Sequence, residues 1–347
     1  MQPYNGGNDP QRGGVYSTGH GFYNPYAEPE WKREKKRIRA AGNGIGLASV
    51  GYVAISFGAV LFLYAAIGVV NALRGGNFME VGENAQWVVT LITYILSLIV
   101  PFGIYALCIQ MPIGAAFPFR KMRGDITVGG IFVGLGAGIV ASYATSYLEQ
   151  ALGLFGIGIS MPELEIPTAL PAKIIYIITM TVAPAFIEEM VFRGIVMQSL
   201  RRFGDMFALV SSALIFGIFH LNLIQTPYAF ILGLCIGYFV MRTGSLWVGV
   251  IMHFLNNSIA TVLTLAEPYC SEEMFLFINL AYSLAAVMCG IIALCLLLVK
   301  YRDMFRFGDA PGVLSSGKRA AYFLTSPALI IAMLTAVVLT AQYIEIL

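Results

Sequence analysis

The chain contains a succession of long apolar runs, and this feature constrains its fold more than any other. Of its 347 residues, 58% are hydrophobic and 12% are charged, whereas soluble domains average roughly 45–50% and about 25%. A helix that crosses a bilayer needs about 20 apolar residues. Apolar runs lie at 45–73, 85–109, 126–148, 174–197, 206–221, 228–241, 246–265, 274–299 and 322–343. The sequence therefore predicts an all-α, polytopic transmembrane helix bundle of eight to nine spans, with the run at 228–241 marginal in length.

The charges between the runs predict the orientation of the bundle. Lysine and arginine are enriched in the short cytoplasmic loops of membrane proteins, and here they concentrate in alternate loops, at 32–39, 120–123, 201–202, 242, 300–306 and 318–319. The opposite loops carry Arg74 and Lys173 as their basic residues. They hold a set of glutamates, Glu80, Glu83, Glu149, Glu163, Glu165, Glu267, Glu272, Glu273 and Glu345. Nine spans with a cytoplasmic N-terminus fit this alternation best.

The chain divides into four predicted segments. Residues 1–40 form a disordered cytoplasmic tail, rich in Gly, Pro, Asn and Tyr over 1–30 and ending in the basic run 32–39. Residues 41–125 and 266–347 supply accessory transmembrane helices, and residues 126–265 form a central core. The composition of the tail favours a bacterial cell membrane. The five cysteines form no CxxC pair, so neither a disulfide framework nor a cysteine zinc site is expected.

Few ionisable residues remain within the apolar runs once the loops and the tail are set aside. Glu188, Glu189 and Arg193 lie in the fourth run, His220 in the fifth and His253 in the seventh. A charged side chain at the centre of a transmembrane helix costs roughly 2.5–3.5 kcal/mol on insertion scales, so such residues are rare and usually functional. We therefore expect these residues to face the interior of the bundle.

The spacing of these residues predicts how they divide their tasks. Glu189 and Arg193 are one helical turn apart, which predicts an ion pair on one face of the helix. Glu188 points about 100° away from Glu189 at 3.6 residues per turn, and is free for another role. At a rise of 1.5 Å per residue, Glu188, His220 and His253 lie about 16, 21 and 11 Å from the cytoplasmic ends of their helices. The three side chains are therefore predicted to meet in one intramembrane cavity.

A carboxylate, two imidazoles and an amide are the groups that a hydrolytic site requires. The carboxylate acts as a general base toward water, and an amide or imidazole N–H stabilises the oxyanion that forms. Asn257 lies one turn beyond His253 and shares its face, with Asn256 beside it. Other hydrolytic sites are excluded, because the sequence contains no HExxH and no GxSxG. An aspartyl dyad is excluded as well, because every aspartate lies in the tail or in a loop.

Three motifs stand in order on these runs. They are Glu188-Glu189-x-x-x-Arg193, Phe216-x-x-x-His220 and His253-x-x-x-Asn257, the last preceded by Gly-Ser-Leu-Trp at 244–247. This ordered set resembles the CAAX protease and bacteriocin-processing family of intramembrane proteases, also called the CPBP or Abi family, which is related to type II CAAX prenyl endopeptidases. The resemblance covers roughly residues 126–265. It implies an all-helical catalytic core on the fourth, fifth and seventh spans, with a site that opens toward the cytoplasm and the bilayer.

The resemblance also implies a role for each catalytic residue. Glu188 and His220 would activate the attacking water, while His253 and Asn257 would hold the oxyanion or help to bind a metal. The family is usually described as metal-dependent, so we expect a divalent cation, with zinc as the leading candidate.

The expected metal site consists of Glu188, His220 and His253. One carboxylate and two imidazoles suit Zn²⁺ and leave one coordination position for water. A metal-free glutamate mechanism uses the same residues and stays open. The ion pair between Glu189 and Arg193 would support the site in either case.

The expected activity is hydrolysis of a peptide bond in a membrane-associated protein or peptide. A bacterial membrane peptide or protein is the favoured substrate, with a prenylated CAAX protein as the alternative; no nucleic-acid partner is expected. Two other functions stay open: a non-catalytic membrane scaffold, chaperone or immunity factor, and a proton-coupled transporter in which Glu188 and His220 relay protons. Transport is disfavoured, because the sequence contains no internal repeat and no inverted pair of broken helices.

Overall fold

The computed structural model describes residues 28–78, 80–160, 165–308 and 312–346. The predicted disordered tail lies outside the described residues as far as position 27. The first helix, α1 (Glu30–Leu73), includes the basic run 32–39 that was predicted to end the tail. Lysine, arginine and glutamate are good helix formers, so this run extends the first span as a continuous helix.

Helices account for nearly all of the described chain. In chain order after α1 they are α2 (Glu83–Cys108), the one-turn α3 (Ile113–Ala116), α4 (Gly124–Leu154), α5 (Leu170–Ile177), α6 (Ala183–Glu188), α7 (Met197–Leu200), α8 (Asp205–Ile218), α9 (Gln225–Thr243), α10 (Leu246–Ala266), α11 (Glu272–Lys300), α12 (Ser316–Leu324) and α13 (Pro327–Ala341). Two short strands, β1 (Ile157–Ile159) and β2 (Ile344–Ile346), pair antiparallel. The prediction of an all-α protein is confirmed.

Among the described residues, seven helices are long and apolar enough to cross a membrane. The count becomes eight if α12 and α13, which are bent by 68° at their junction, form one span. Large apolar side chains cover the outer surface, for example Leu61 and Leu276, which are 71% and 69% exposed. Exposed apolar surface of this extent is typical of contact with lipid. The architecture is that of an integral, multi-pass membrane protein.

The predicted count of nine spans is too high because of α8. Its 14 residues extend only about 21 Å at 1.5 Å per residue, short of the roughly 30 Å hydrocarbon core. The next helix, α9, was predicted to be marginal, but its 19 residues are long enough to span. The apolar run at 206–221 continues beyond the end of α8 into a turn, and this made the helix look longer than it is.

The residues from Leu170 to Phe203 form one long helix of uneven winding, here called the broken helix. It consists of α5, α6 and α7, separated by π-helical segments at Ile178–Val182 and Glu189–Val196. Pro184 lies just after the first of these segments, and a proline lacks the N–H of a regular helix and clashes with the preceding turn. The wider winding of π segments is frequent at functional sites. Here the second segment begins at Glu189, directly after Glu188.

Helices α8 and α9 form a hairpin around the turn 219–224. Leu221 adopts a left-handed conformation with φ of 50°. Asn222 Oδ1 accepts hydrogen bonds from the backbone N–H groups of Ile224 at 2.9 Å and Gln225 at 3.2 Å, which caps the start of α9. His220 lies in this turn and not within the fifth helix as predicted. The turn places irregular backbone beside the middle of the bundle.

Basic loops meet at one end of the bundle, here called the cationic end. Ser245 Oγ donates to the carbonyl of Arg120 at 2.7 Å, which joins the start of α10 to the loop before α4. Lys300 pairs with Asp125 at 2.7 Å and joins the end of α11 to the start of α4. The buried ion pair between Arg319 and Glu34, also 2.7 Å, joins α12 to α1.

Glutamate-rich loops meet at the opposite end, here called the acidic end. Glu83 accepts hydrogen bonds from the backbone N–H groups of Thr168 and Ala169, which joins α2 to the loop before α5. The strands β1 and β2 pair there, with Ile157 opposite Ile346. Leu265, near the end of α10, packs against the cluster of Trp87, Ala172 and Tyr176. The structure therefore separates the loops into the same two groups that the charge pattern predicts.

Candidate active site

The centre of the site is the carboxylate of Glu189, which is fully buried. Its Oε1 accepts hydrogen bonds from Arg193 Nη1 at 2.7 Å and from His253 Nδ1 at 2.9 Å. The predicted ion pair between Glu189 and Arg193 is confirmed. The bond to His253 was not predicted, and it joins the broken helix to α10.

Arg193 is held in place by an aromatic ring as well as by the carboxylate. Its guanidinium lies over the ring of Phe216, 4.1 Å from the centroid, where a cation is attracted to the face of the ring. The same ring meets His220 edge-on at 5.0 Å and His253 at 5.9 Å. Both histidines therefore pack against the same aromatic ring.

Glu188 points away from Glu189, as predicted, and its two oxygens differ. Oε1 accepts a hydrogen bond from Tyr94 Oη at 2.6 Å. Oε2 is buried, has no hydrogen-bond partner, and lies 3.7 Å from His253 Nε2. A buried carboxylate oxygen without a partner is costly. Glu189 Oε2 is likewise buried without a partner, but Glu188 is the one of the two carboxylates that lines the cavity described below.

Tyr94 was missed by the sequence analysis. Tyr94 lies in α2 among apolar residues, where the sequence does not distinguish it from the other aromatic residues of a membrane helix. The available signal was its hydroxyl group, because a buried tyrosine O–H needs a hydrogen-bond partner. The sequence does not reveal that this partner lies on the broken helix, far along the chain.

The hydrogen bonds of the two histidines leave the same atom free on each. His220 Nδ1 lies 3.0 Å from the carbonyl oxygen of Phe216, which can only accept, so Nδ1 carries the proton. His253 Nδ1 faces the carboxylate of Glu189 in the same way. When one ring nitrogen of a neutral histidine donates, the other is an acceptor. Both Nε2 atoms are therefore available as acceptors.

Glu188 and His220 line one cavity of about 210 Å³. The other lining residues are Tyr52, Tyr94, Leu98, Phe192 and Phe219. This cavity is large enough for water and polar enough to hold it, because it contains the carboxylate, an imidazole and two phenol groups. Glu188, His220 and His253 were predicted to meet in one cavity. Glu188 and His220 line the same cavity, and His253 approaches Glu188 directly, with Nε2 3.7 Å from Oε2.

Asn257 does not line this cavity. It lines a second, larger cleft of about 700 Å³, which it shares with His220. The predicted common face of His253 and Asn257 does not bring them to one cavity. His253 is buried against Glu189, and one further turn of α10, about 6 Å, carries Asn257 to the other side of His220.

A chain of hydrogen bonds orients the Asn257 amide. Tyr228 Oη donates to Asn256 Oδ1 at 3.0 Å, and Asn256 Nδ2 donates to Asn257 Oδ1 at 3.2 Å. Among the described residues, no group accepts a hydrogen bond from Asn257 Nδ2. The amide N–H₂ is therefore available as a donor in the cleft. Neither Tyr228 nor the orienting role of Asn256 was predicted.

The predicted metal ligands do not assemble into a three-ligand site. Within the described part of the chain, no group of three or more His, Cys, Asp or Glu side chains is placed to hold one ion. Glu188 Oε2 and His253 Nε2 face each other, and His220 lines the cavity with Glu188, but the three side chains do not converge on one ion position. Metal dependence therefore stays a prediction.

Comparison with known proteins supports the resemblance noted in the sequence. Residues 170–259 match the family described as type II CAAX prenyl endopeptidase Rce1-like. This Rce1-like domain lies within the predicted core 126–265 and contains every predicted site residue. Neither a curated protein nor a solved structure matches the chain.

The close approach of α10 to Glu189 leads to a prediction about Gly249. A methyl group at Gly249 would lie 2.6 Å from Glu189 Oε2 and 2.8 Å from Val240 Cγ2, too close for either atom. Gly249→Ala is therefore expected to destabilise the fold by about 1–3 kcal/mol, as overpacking does, although alanine is the better helix former. The measurement is thermal unfolding of the purified protein in detergent.

Gly103→Ala in α2 is the matched control, because nothing lies within 4 Å of its added methyl group. It should keep or slightly raise the melting temperature. An equal response of the two variants would contradict the tight contact between Gly249 and Glu189.

Proposed function

We propose that the Rce1-like domain makes this chain an intramembrane endopeptidase that hydrolyses a peptide bond of a membrane-associated protein or peptide. The observation that carries the proposal is the pair of facing atoms, Glu188 Oε2 and His253 Nε2, 3.7 Å apart. The oxygen is buried without a partner, and the carboxylate borders the cavity that His220 also lines. The family implies a peptidase with a protein or peptide substrate.

In the proposed mechanism, Glu188 activates the attacking water. One water molecule can lie within hydrogen-bond distance of both Glu188 Oε2 and His253 Nε2, since 3.7 Å is well below twice a hydrogen-bond length. Glu188 takes the proton as the water oxygen attacks the carbonyl carbon, and returns it to the amine nitrogen when the C–N bond breaks. Tyr94 holds the other carboxylate oxygen and thereby fixes the direction of the base.

Asn257 and the histidines complete the proposed site. Asn257 Nδ2 donates to the oxyanion, because Asn257 Oδ1 is already bound by Asn256 Nδ2. His220 lies between the water cavity and the larger cleft and supplies an acceptor nitrogen to the water. His253 Nε2 lies 3.7 Å from Glu188 Oε2 and supplies a second acceptor nitrogen beside the base.

The Glu189–Arg193 pair supports the site through His253. A carboxylate bound to one ring nitrogen sets the tautomer and orientation of a histidine. Arg193 pairs with Glu189 at 2.7 Å in a place where both side chains are buried from solvent. Glu189 is therefore a positioning residue, and Glu188 is the base.

Removal of the base or of His220 is expected to abolish cleavage. Glu188→Gln keeps the shape but loses the proton acceptor, and His220→Ala loses the imidazole, so each rate should fall by about 10²- to 10⁴-fold. Comparison of the membrane proteomes of wild-type and Glu188→Gln cells identifies accumulated precursors, which then serve as purified substrates.

The control is Glu272→Gln, at the exposed start of α11, which should cleave at the wild-type rate. Thermal unfolding shows whether each variant is folded. If a folded Glu188→Gln protein cleaves a verified substrate normally, the function is instead that of a non-catalytic scaffold or immunity factor. Proton flux into proteoliposomes without any substrate peptide would favour a transporter.

The orientation of Asn257 gives a second activity prediction. Asn256→Asp removes the N–H that binds Asn257 Oδ1, so the Asn257 amide loses its orientation. The value of kcat should fall toward that of Asn257→Ala, for which the loss of an oxyanion donor predicts about 10²- to 10³-fold. Tyr228→Phe, which leaves the Asn256 amide intact, should have a smaller effect. A wild-type kcat for Asn256→Asp, or a change confined to KM, would contradict the orienting role.

Metal dependence is tested in the same assay. The atoms Glu188 Oε2, His220 Nε2 and His253 Nε2 are of the kinds that zinc prefers, although they do not form one ligand group, and the mechanism above uses no metal. If the prediction is right, chelation abolishes cleavage, added Zn²⁺ restores it, and elemental analysis finds metal in the purified protein. Cleavage that survives chelation in a metal-free preparation would establish the glutamate mechanism instead.

A further inference from the structure

The larger cleft carries many polar side chains on walls that are otherwise apolar. It lies between α4, the start of α9, α10 and the start of α11, and its volume of about 700 Å³ is within the range of binding sites. Its polar lining consists of Ser142, Tyr143, Thr145, Ser146, Glu149, His220, Gln225, Tyr228, Asn256, Asn257, Asn279, Tyr282 and Ser283. Hydroxyl and amide groups at this density suit the N–H and C=O groups of a polypeptide better than a lipid chain.

The cleft exists because α8 is short. The turn 219–224 ends α8 beside Asn256, which lies about 15 Å along α10 from Leu246 at 1.5 Å per residue. Irregular backbone at this depth of a membrane is tolerated where it lines a water-filled cavity. His220 and Ile224 of the turn line the cleft, which continues beyond the turn toward the far end of α10 as far as Leu263.

The lining residues show toward which end the cleft extends. Glu149 lies near the end of α4 and Leu263 near the end of α10, whereas Asn279 lies near the start of α11. These helix ends all belong to the acidic end of the bundle. From the level of Gly138, which borders Asn256, to Glu149 the distance along α4 is about 16 Å. Extended polypeptide covers that distance with about five residues.

We propose that this cleft opens to the extracytoplasmic side of the membrane and admits an extended polypeptide segment from there to His220 and Asn257. The cationic end carries the lysine and arginine residues that mark cytoplasmic loops, and the cleft extends away from it. The family resemblance led to the opposite expectation, a site that opens toward the cytoplasm. The part of the proposal that concerns the polypeptide rests on the proposed peptidase function.

The substrate class follows from this direction of access. A bond that is cleaved through the cleft belongs to an exported peptide or to the extracytoplasmic segment of a membrane protein. The cytoplasmic C-terminus of a prenylated protein would not reach it. About five residues on one side of the scissile bond would lie in the cleft in extended conformation.

Accessibility to a membrane-impermeant maleimide tests the direction of the cleft without any assumption about catalysis. Cys270, in the loop between α10 and α11 at the acidic end, should react in intact cells, and Cys270→Ser should remove this signal. In the Cys270→Ser background, Ser146→Cys and Ser283→Cys should react from outside through the cleft. Lys121→Cys, at the cationic end, should react only after permeabilisation.

The reverse pattern, with Lys121→Cys labelled in intact cells and Cys270 protected, would overturn the proposal. If Ser146→Cys fails to accumulate, Ser283→Cys and the native Cys270 still report the orientation. Protection of both cleft positions from outside, while Cys270 reacts, would also overturn it, because the cleft would then be closed to that side.

Access of substrate is tested separately in proteoliposomes that are sorted by orientation with an affinity tag at the N-terminus. A proteome-derived peptide mixture is added outside, and cleavage is read by mass spectrometry. Vesicles with the acidic end outward should cleave at least tenfold faster than those with the cationic end outward, and Glu188→Gln should be inactive in both. Faster cleavage from the cationic end would overturn the proposal, whereas cleavage unaffected by Glu188→Gln would overturn the peptidase function and leave the labelling result intact.

Discussion

The structure depends on the burial of one charge, the carboxylate of Glu189, among apolar helices. An unpaired carboxylate in such surroundings would cost several kcal/mol, so the neighbouring elements are arranged to compensate it. Arg193 and His253 both donate to its Oε1, and Gly249 lets α10 approach its Oε2. Phe216 then covers the guanidinium. Helix α10, the broken helix and α8 are thereby fixed relative to one another around a single side chain.

This arrangement gives two adjacent glutamates different tasks. Glu189 accepts two hydrogen bonds on Oε1, from Arg193 and His253, whereas Glu188 accepts one, from Tyr94, and lines the cavity of about 210 Å³; the Oε2 atom of each has no partner. Chemically identical groups acquire different reactivity when their surroundings differ in this way. The pair also explains the position of His253, whose two ring nitrogens face one carboxylate each. A site that moves a proton needs such an asymmetry, because a general base must be within reach of the water that it deprotonates.

The sequence predicts what depends on local spacing and fails where contacts join distant segments. The ion pair between Glu189 and Arg193 follows from residues one turn apart, and the long helices follow from the apolar runs. The partners of Glu189 and Glu188 on α10 and α2 are 64 and 94 residues away, so no local pattern reveals them. His220 was assigned to a helix because it lies within the apolar run 206–221, four residues after Phe216. The turn preserves that relation, since His220 Nδ1 still bonds the Phe216 carbonyl, but it ends the helix earlier than the apolar run ends.

That early end is the step that connects the fold to the proposed chemistry. A protease within a membrane must bring water and a peptide bond to one place from surroundings that favour neither. The chain turns at 219–224, and His220 and Ile224 of this turn line the cleft together with Asn256 and Asn257. Because α8 stops short, His220 belongs to the walls of both the small water cavity and the large polar cleft. On the proposed mechanism, the scissile carbonyl must therefore lie against His220, where water held by Glu188 and the amide of Asn257 can reach it from opposite sides.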